Sequence, residues 1–256
     1  MLWQKSWLET RWRFAIAMAL LVLAALAMVL VYPEAKRLMP LVVPPADADG
    51  ELARRIRAAA ALALEYRGYV WSQWFAKEGS HASTLFAVLL GTGGLVSQAA
   101  RGGGLFTLSL PVSRERLLAT RAATGLAELA ALAVVPALVL AALSPVVGEH
   151  YALGDALVHA GCVFVATSVF FSLASLLSTV FADVWRPLSL ALFAAIALGL
   201  SEQVFPAVSR FSVFPVMSGE DYFRGGGVPW LGLAAAAAAS LAMLYGATRN
   251  LVRQDF

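Results

Sequence analysis

The sequence predicts an all-α integral membrane protein with six transmembrane helices and both termini on the cytoplasmic side. Composition gives the class. Of 256 residues, 60% are hydrophobic and only 14% are charged, with a mean hydropathy of +0.75, whereas soluble domains carry about 25% charged residues. Distribution gives the architecture: several windows of about 18–25 residues are almost free of charge, the length of helix that crosses ~30 Å of hydrocarbon. The placement of Lys and Arg over the short loops gives the orientation. The net charge is +3 and the pI about 9.2. The basic residues stand at the ends of apolar runs, as topology signals do, so no nucleic-acid patch is expected. A single cysteine, Cys162, excludes an internal disulfide and a multi-cysteine metal site.

The chain reads as one transmembrane domain over 1–256. Residues 1–13, "MLWQKSWLETRWR", form an amphipathic interfacial lead with Trp3, Trp7 and Trp12 among Lys5, Arg11 and Arg13. The first span is Phe14 to Tyr32, ended by Pro33. It is too long for the core of a cleavable signal, and no small-residue cleavage site follows it. A polar insert over 33–81 lies outside. Within it "VVPPADADGE" is a linker, and "ELARRIRAAAALALEYRGYVWSQWF" is a helix too short in its apolar part to cross. Its stripe of Trp71, Trp74 and Phe75 is expected at the membrane surface.

The second span is Ala82 to Ala100, whose Gly91, Gly93 and Gly94 favour close helix contact. The third is Ala122 to Val147, the fourth Leu157 to Val180, the fifth Leu188 to Phe205 and the sixth Trp230 to Ala247. Residues 206–229 form an outer, aromatic-rich excursion. Lys5, Arg11 and Arg13, then Arg101, Arg114, Arg116 and Arg121, then Arg186, and finally Arg249 and Arg253 fall on one side. The loop "SPVVGEHYALGDA" on the other side has acids and no Lys or Arg. The long insert holds cations among many acids, and the charge rule weakens for long loops.

No catalytic constellation is visible. His81, His150 and His159 lack metal-ligand spacing. There is no Gly-x-Ser-x-Gly elbow. "RGGGLFTLS" lacks the Gly-Lys-Ser/Thr ending of a phosphate loop. Ser168, Ser172, Ser175 and Ser178 read as helix-packing contacts. Glu128 stands about two turns inside the third span from Arg121. A charge there costs about 2.5–3.5 kcal/mol at the bilayer centre on insertion scales, so it snorkels to the interface, pairs with a neighbouring helix, or serves coupling or transport.

The stretch "LFTLSLPVSRERLLATR" interrupts the apolar pattern between the second and third spans. Pro111 cannot continue a helix ladder. Ser113 is a good N-cap, and Glu115 in the first turn suits the positive helix end. A helix therefore begins at Arg114 and runs on into the third span, leaving Arg114 and Arg116 at the cytoplasmic surface.

This stretch resembles the cytoplasmic coupling segment of type-2 ABC transporter permeases. The closing "RNLVRQDF" is similar to their C-terminal end, and "KSWLETRWR" to their interfacial connecting helix. The resemblance implies the permease subunit of an ATP-driven exporter in a cell membrane, of the bacterial inner-membrane kind. Two permease copies would pair around the substrate path. ATP and magnesium would reside on a separate ATPase subunit, so this chain itself carries no cofactor. Residues 101–121 would be the coupling segment, with Pro111, Val112, Ser113, Arg114, Glu115 and Arg116 receiving the ATPase motion. The 206–229 excursion would correspond to the outer re-entrant segment. One departure stands out: Gln98 occupies the place of the Glu that the family often has there, with Gly102-Gly103 for the following Gly-Thr, so the salt bridge made by that Glu cannot form. A second expectation is an assembly or maturation factor that uses an ABC ATPase to drive a periplasmic process. An intramembrane enzyme is a third class, for which the sequence offers no catalytic set.

Overall fold

The computed structural model describes residues 2–45, 50–93, 113–204 and 212–253. Those residues are helical, with no strand among them. Four helices among them are long and apolar enough to cross a membrane: 2–41, 114–147, 153–177 and 230–253. The helix over Trp185–Ser201 is apolar but shorter.

Helix α1 runs unbroken over Leu2–Val42, through Pro33 and Pro40. The interfacial lead and the first span are one rod, and the expected stop at Pro33 is absent. A proline removes one N–H and crowds the carbonyl four residues back, but contacts on both sides of Pro33 hold the line. Tyr32 is buried, donates from its hydroxyl to the Leu64 carbonyl (2.9 Å), and packs edge-on against Tyr66 at 4.8 Å. Beyond the proline, Lys36 pairs with Glu149 at 2.9 Å. At 1.5 Å per residue the 41-residue helix is about 60 Å long, twice the hydrocarbon thickness, so it projects from the bilayer. Ala17, Leu21, Ala25, Val29 and Tyr32, spaced by three and four, form its buried stripe.

Helix α2 covers Glu51–Leu64 and stops at Glu65, whose backbone is extended. The chain then forms a second rod: α3 (Tyr66–Val70), a π-helical segment (Trp71–Glu78) and α4 (Gly79–Gly91). This corrects two expectations. The aromatic stripe does not rest on a surface: Trp71, Trp74 and Phe75 are buried in the core. The helix expected to start at Ala82 is already under way at Tyr66. Its composition misleads because Arg67, Lys77 and Glu78 interrupt the apolar run. Residues 94–100 of the expected second span lie outside the described residues.

Helix α5 spans Arg114–Leu143, followed by a 3-10 turn over Ser144–Val147. Helix α6 covers Leu153–Leu177, α7 Trp185–Val204, α8 Val213–Ser218, α9 Glu220–Phe223 and α10 Trp230–Arg253. Helix α6 is central, packed by α4, α5, α7, α8 and α10, while α1 lies along α5. Small residues allow this. Ala156, Ala160, Ala166 and Ala174 of α6 are fully buried, and a Cβ on Gly91 would stand 2.4 Å from the Phe171 carbonyl oxygen. The α6 serines act as packing contacts, as expected: the Ser172 and Ser240 hydroxyls meet at 2.6 Å, and Ser240 donates to the Ser168 carbonyl at 3.2 Å.

Candidate functional site

The helices bring their polar residues together at two ends of the bundle. At one end α5 begins. The Ser113 side chain accepts from the Arg116 backbone N–H at 3.3 Å, an N-cap formed as its residue type dictates. Glu115 lies exposed in the first turn. The two arginines differ. Arg116 is exposed, whereas Arg114 is half-buried and its guanidinium donates to the Leu251 carbonyl of α10 at 3.4 Å. Leu118 packs there against Ala247 and Leu251. Asn250 donates to the Thr179 carbonyl (3.1 Å) and hydroxyl (2.9 Å), fastening the end of α10 to the end of α6. Pro111, Val112 and Gln98 lie outside the described residues.

Two turns further along α5, Arg121 is drawn inward. It pairs with Glu9 of α1 at 3.3 Å and donates to the carbonyls of Thr92 (3.4 Å) and Gly93. Arg13 donates to the carbonyls of Leu89 (3.0 Å) and Thr92 (3.2 Å). These arginines therefore close the open end of α4, where carbonyls lack helical partners. Sequence reasoning read Arg13 and Arg121 as surface topology signals and missed this network. The available signal was Glu9, the sole acid in the first thirteen residues.

Glu128 faces α1. It is 3% exposed, and its Oε1 accepts from the Thr10 hydroxyl, so it pairs with a neighbouring helix. Thr10 precedes the apolar run that starts at Phe14. Glu128 thus sits at the level of α1 where Arg11 and Arg13 follow Thr10. Its Oε2 is buried without a hydrogen-bond partner among the described residues.

At the other end the insert docks on α6. Arg67 pairs with Asp155 at 2.8 Å, and the Tyr222 hydroxyl donates to the same carboxylate at 2.8 Å. That hydrogen bond holds the Tyr222 phenol above its ordinary pKa. Burial raises the Tyr151 phenol likewise. The Ser218 carbonyl accepts from the Trp71 indole (3.0 Å) and faces His159 Nδ1 (3.0 Å). His159 stacks on Phe75 at 4.7 Å and Trp71 on Phe223 at 4.3 Å. Gly219 makes the approach possible: its φ is +63°, and a Cβ would stand 2.7 Å from His159 Nδ1. Among the described residues no three His, Cys, Asp or Glu gather as a metal site.

No family model, no curated protein and no solved structure matches the chain.

Proposed function

We propose that this chain is the transmembrane permease subunit of an ABC exporter of the type-2 kind. It takes motion from a separate ATPase subunit, which carries ATP and magnesium, and passes it to a substrate path between two permease copies. The observation that carries the reading is the start of α5: a Ser113-capped helix presents Glu115 and Arg116 to solvent and continues without a break for 30 residues. At 1.5 Å per residue that is about 45 Å of rigid rod, long enough to receive a push at its polar end and deliver it across the bilayer. The resemblance of 105–121 to a coupling segment stands on the same residues.

Six passes follow if the rod from Tyr66 to Gly91 and helix α7 are counted with the four long apolar helices. The rod starts beside Tyr32 and Ser144 at one end and finishes beside Arg13 at the other. The end holding Arg13, Arg114, Arg121 and Asn250 is then cytoplasmic. On the opposite side, Lys36 pairs with Glu149 and Arg67 with Asp155, so two of the cations within 33–81 carry an acidic partner. This docking of the insert on α6 also favours the second reading, in which the same motion drives a process outside the membrane.

The test is co-expression with an ATPase of the same system, followed by co-purification and measurement of coupled ATP hydrolysis. Arg116→Glu is expected to release the ATPase: removing one desolvated charge pair costs about 2–5 kcal/mol, which at 1.4 kcal/mol per decade is roughly 30- to several-thousand-fold. A variant that inserts correctly, binds the ATPase and couples as the parent does would refute the coupling role.

A further inference from the structure

We propose that the groove between α1 and α5 is a binding site for an organic ammonium ion with an apolar body. Two helical stripes face each other there. On α1, Trp3, Trp7, Thr10 and Phe14 follow at steps of four, three and four. On α5, Thr124, Glu128 and Ala131 do the same at four and three. They enclose a groove of about 430 Å³ lined by Trp3, Trp7, Phe14 and Glu128, within the range of small-molecule sites. Trp7 and Phe14 stand tilted at 5.3 Å between ring centroids, while Trp3 and Trp7 keep much of their surface exposed.

The carboxylate gives the groove its chemistry. Glu128 is 3% exposed; Thr10 satisfies Oε1, and Oε2 has no hydrogen-bond partner among the described residues. Arg121 acts on Glu128 through space without touching it, its guanidinium held by Glu9 and the α4 carbonyls, and Arg13 is held by the same carbonyls. A buried anion with no cation in contact is costly, and an ammonium group beside it reduces that cost. Aromatic faces attract the same ion through their quadrupoles. None of the lining residues is Lys or Arg, so the lining offers no cationic partner to a phosphate attached to the ammonium. That favours a free organic cation over a zwitterionic phospholipid. The site stands independently of the permease reading.

Equilibrium dialysis tests it, with the full chain in a maltoside detergent and protein-free micelles as baseline. The probes are benzyltrimethylammonium and its neutral isostere neopentylbenzene. Expected is saturable, one-site binding of the cation at least tenfold tighter than of the isostere. Glu128→Gln keeps the shape and the Thr10 hydrogen bond, and it is expected to abolish the preference. Trp7→Leu should weaken cation binding several-fold. Ala131→Phe, which fills the groove without touching the carboxylate, should remove binding of both probes and stands in if the Gln variant does not fold. Equal affinity for the two probes, or a Glu128→Gln protein that binds the cation as the parent does, overturns the proposal. Stoichiometric displacement by phosphatidylethanolamine overturns it in favour of a lipid amine. Failure to bind either probe, together with disulfide linkage of Trp3→Cys between copies, overturns it in favour of a dimer face.

Discussion

At the scale of single residues, Ser113 and Arg114 illustrate how near neighbours come to differ. Ser113 is governed by its own helix end, so its role follows from a local rule and was legible in the sequence. Ser113→Ala is expected to destabilise the protein by about 1 kcal/mol, and Ser113→Asp to retain stability, since either oxygen satisfies an orphan N–H of the first turn. Thermal unfolding in detergent reads the difference. Arg114 was expected to share the free surface with Arg116, but its guanidinium reaches the Leu251 carbonyl. Arg114→Glu should therefore loosen the end of α10 as well as change the surface charge, whereas Arg116→Glu should leave α10 in place. Proteolysis of the C-terminal residues, with the two single variants side by side, separates these outcomes. Glu128 was legible as an anomaly. Its partner was not, because Thr10 lies 118 positions away and only the packing of α1 on α5 joins them.

Among the elements, the charge-poor apolar windows located the long helices and misplaced the mixed one. Helices α6 and α10 announce themselves as long apolar runs, and α5 as one broken only by Glu128. The rod from Tyr66 to Gly91 does not, because it buries aromatic rings at one end and aliphatic residues at the other, with Lys77 and Glu78 exposed between them. Helix α1 shows the converse: a proline that stops an isolated helix is carried through when both flanks are anchored. Close packing of the elements yields an ordered expectation. A Cβ at Gly91 meets a backbone carbonyl of α6 at 2.4 Å, while one at Gly125 meets the Phe171 ring edge at 2.5 Å. A ring can turn aside and a helix carbonyl cannot. Gly91→Ala should thus cost more than Gly125→Ala, with overpacking of this kind worth about 1–3 kcal/mol. Melting temperatures in the reverse order would show that α4 can slide on α6.

For the whole molecule, the bundle has two unlike ends, and topology labelling decides which faces the cytoplasm. In a Cys162→Ala background, Gly50→Cys and Gly225→Cys should react with an impermeant thiol reagent added outside intact cells, and Arg116→Cys only after permeabilisation. Labelling of Gly50→Cys and Arg116→Cys from the same side would remove the six-pass arrangement. The class of the protein was legible because composition is a property of the entire chain. The docking of the insert on α6 was not, since Arg67–Asp155 and Lys36–Glu149 join segments that no local pattern relates.

The central position of α6 also has a consequence for biogenesis. Its hydroxyl contact with another helix, Ser172 with Ser240, waits for α10, which follows in the chain every other helix that packs on α6. Until then the side of α6 that carries Ser168 and Ser172 lacks the helix that covers it, and polar groups facing lipid lack the partner that offsets their burial. A nascent chain cut short before Trp230 would carry every earlier span and still present that uncovered face. Cellular quality control has a chemical mark by which to tell a chain that lacks α10 from one in which α10 has docked, and the mark vanishes when that helix packs.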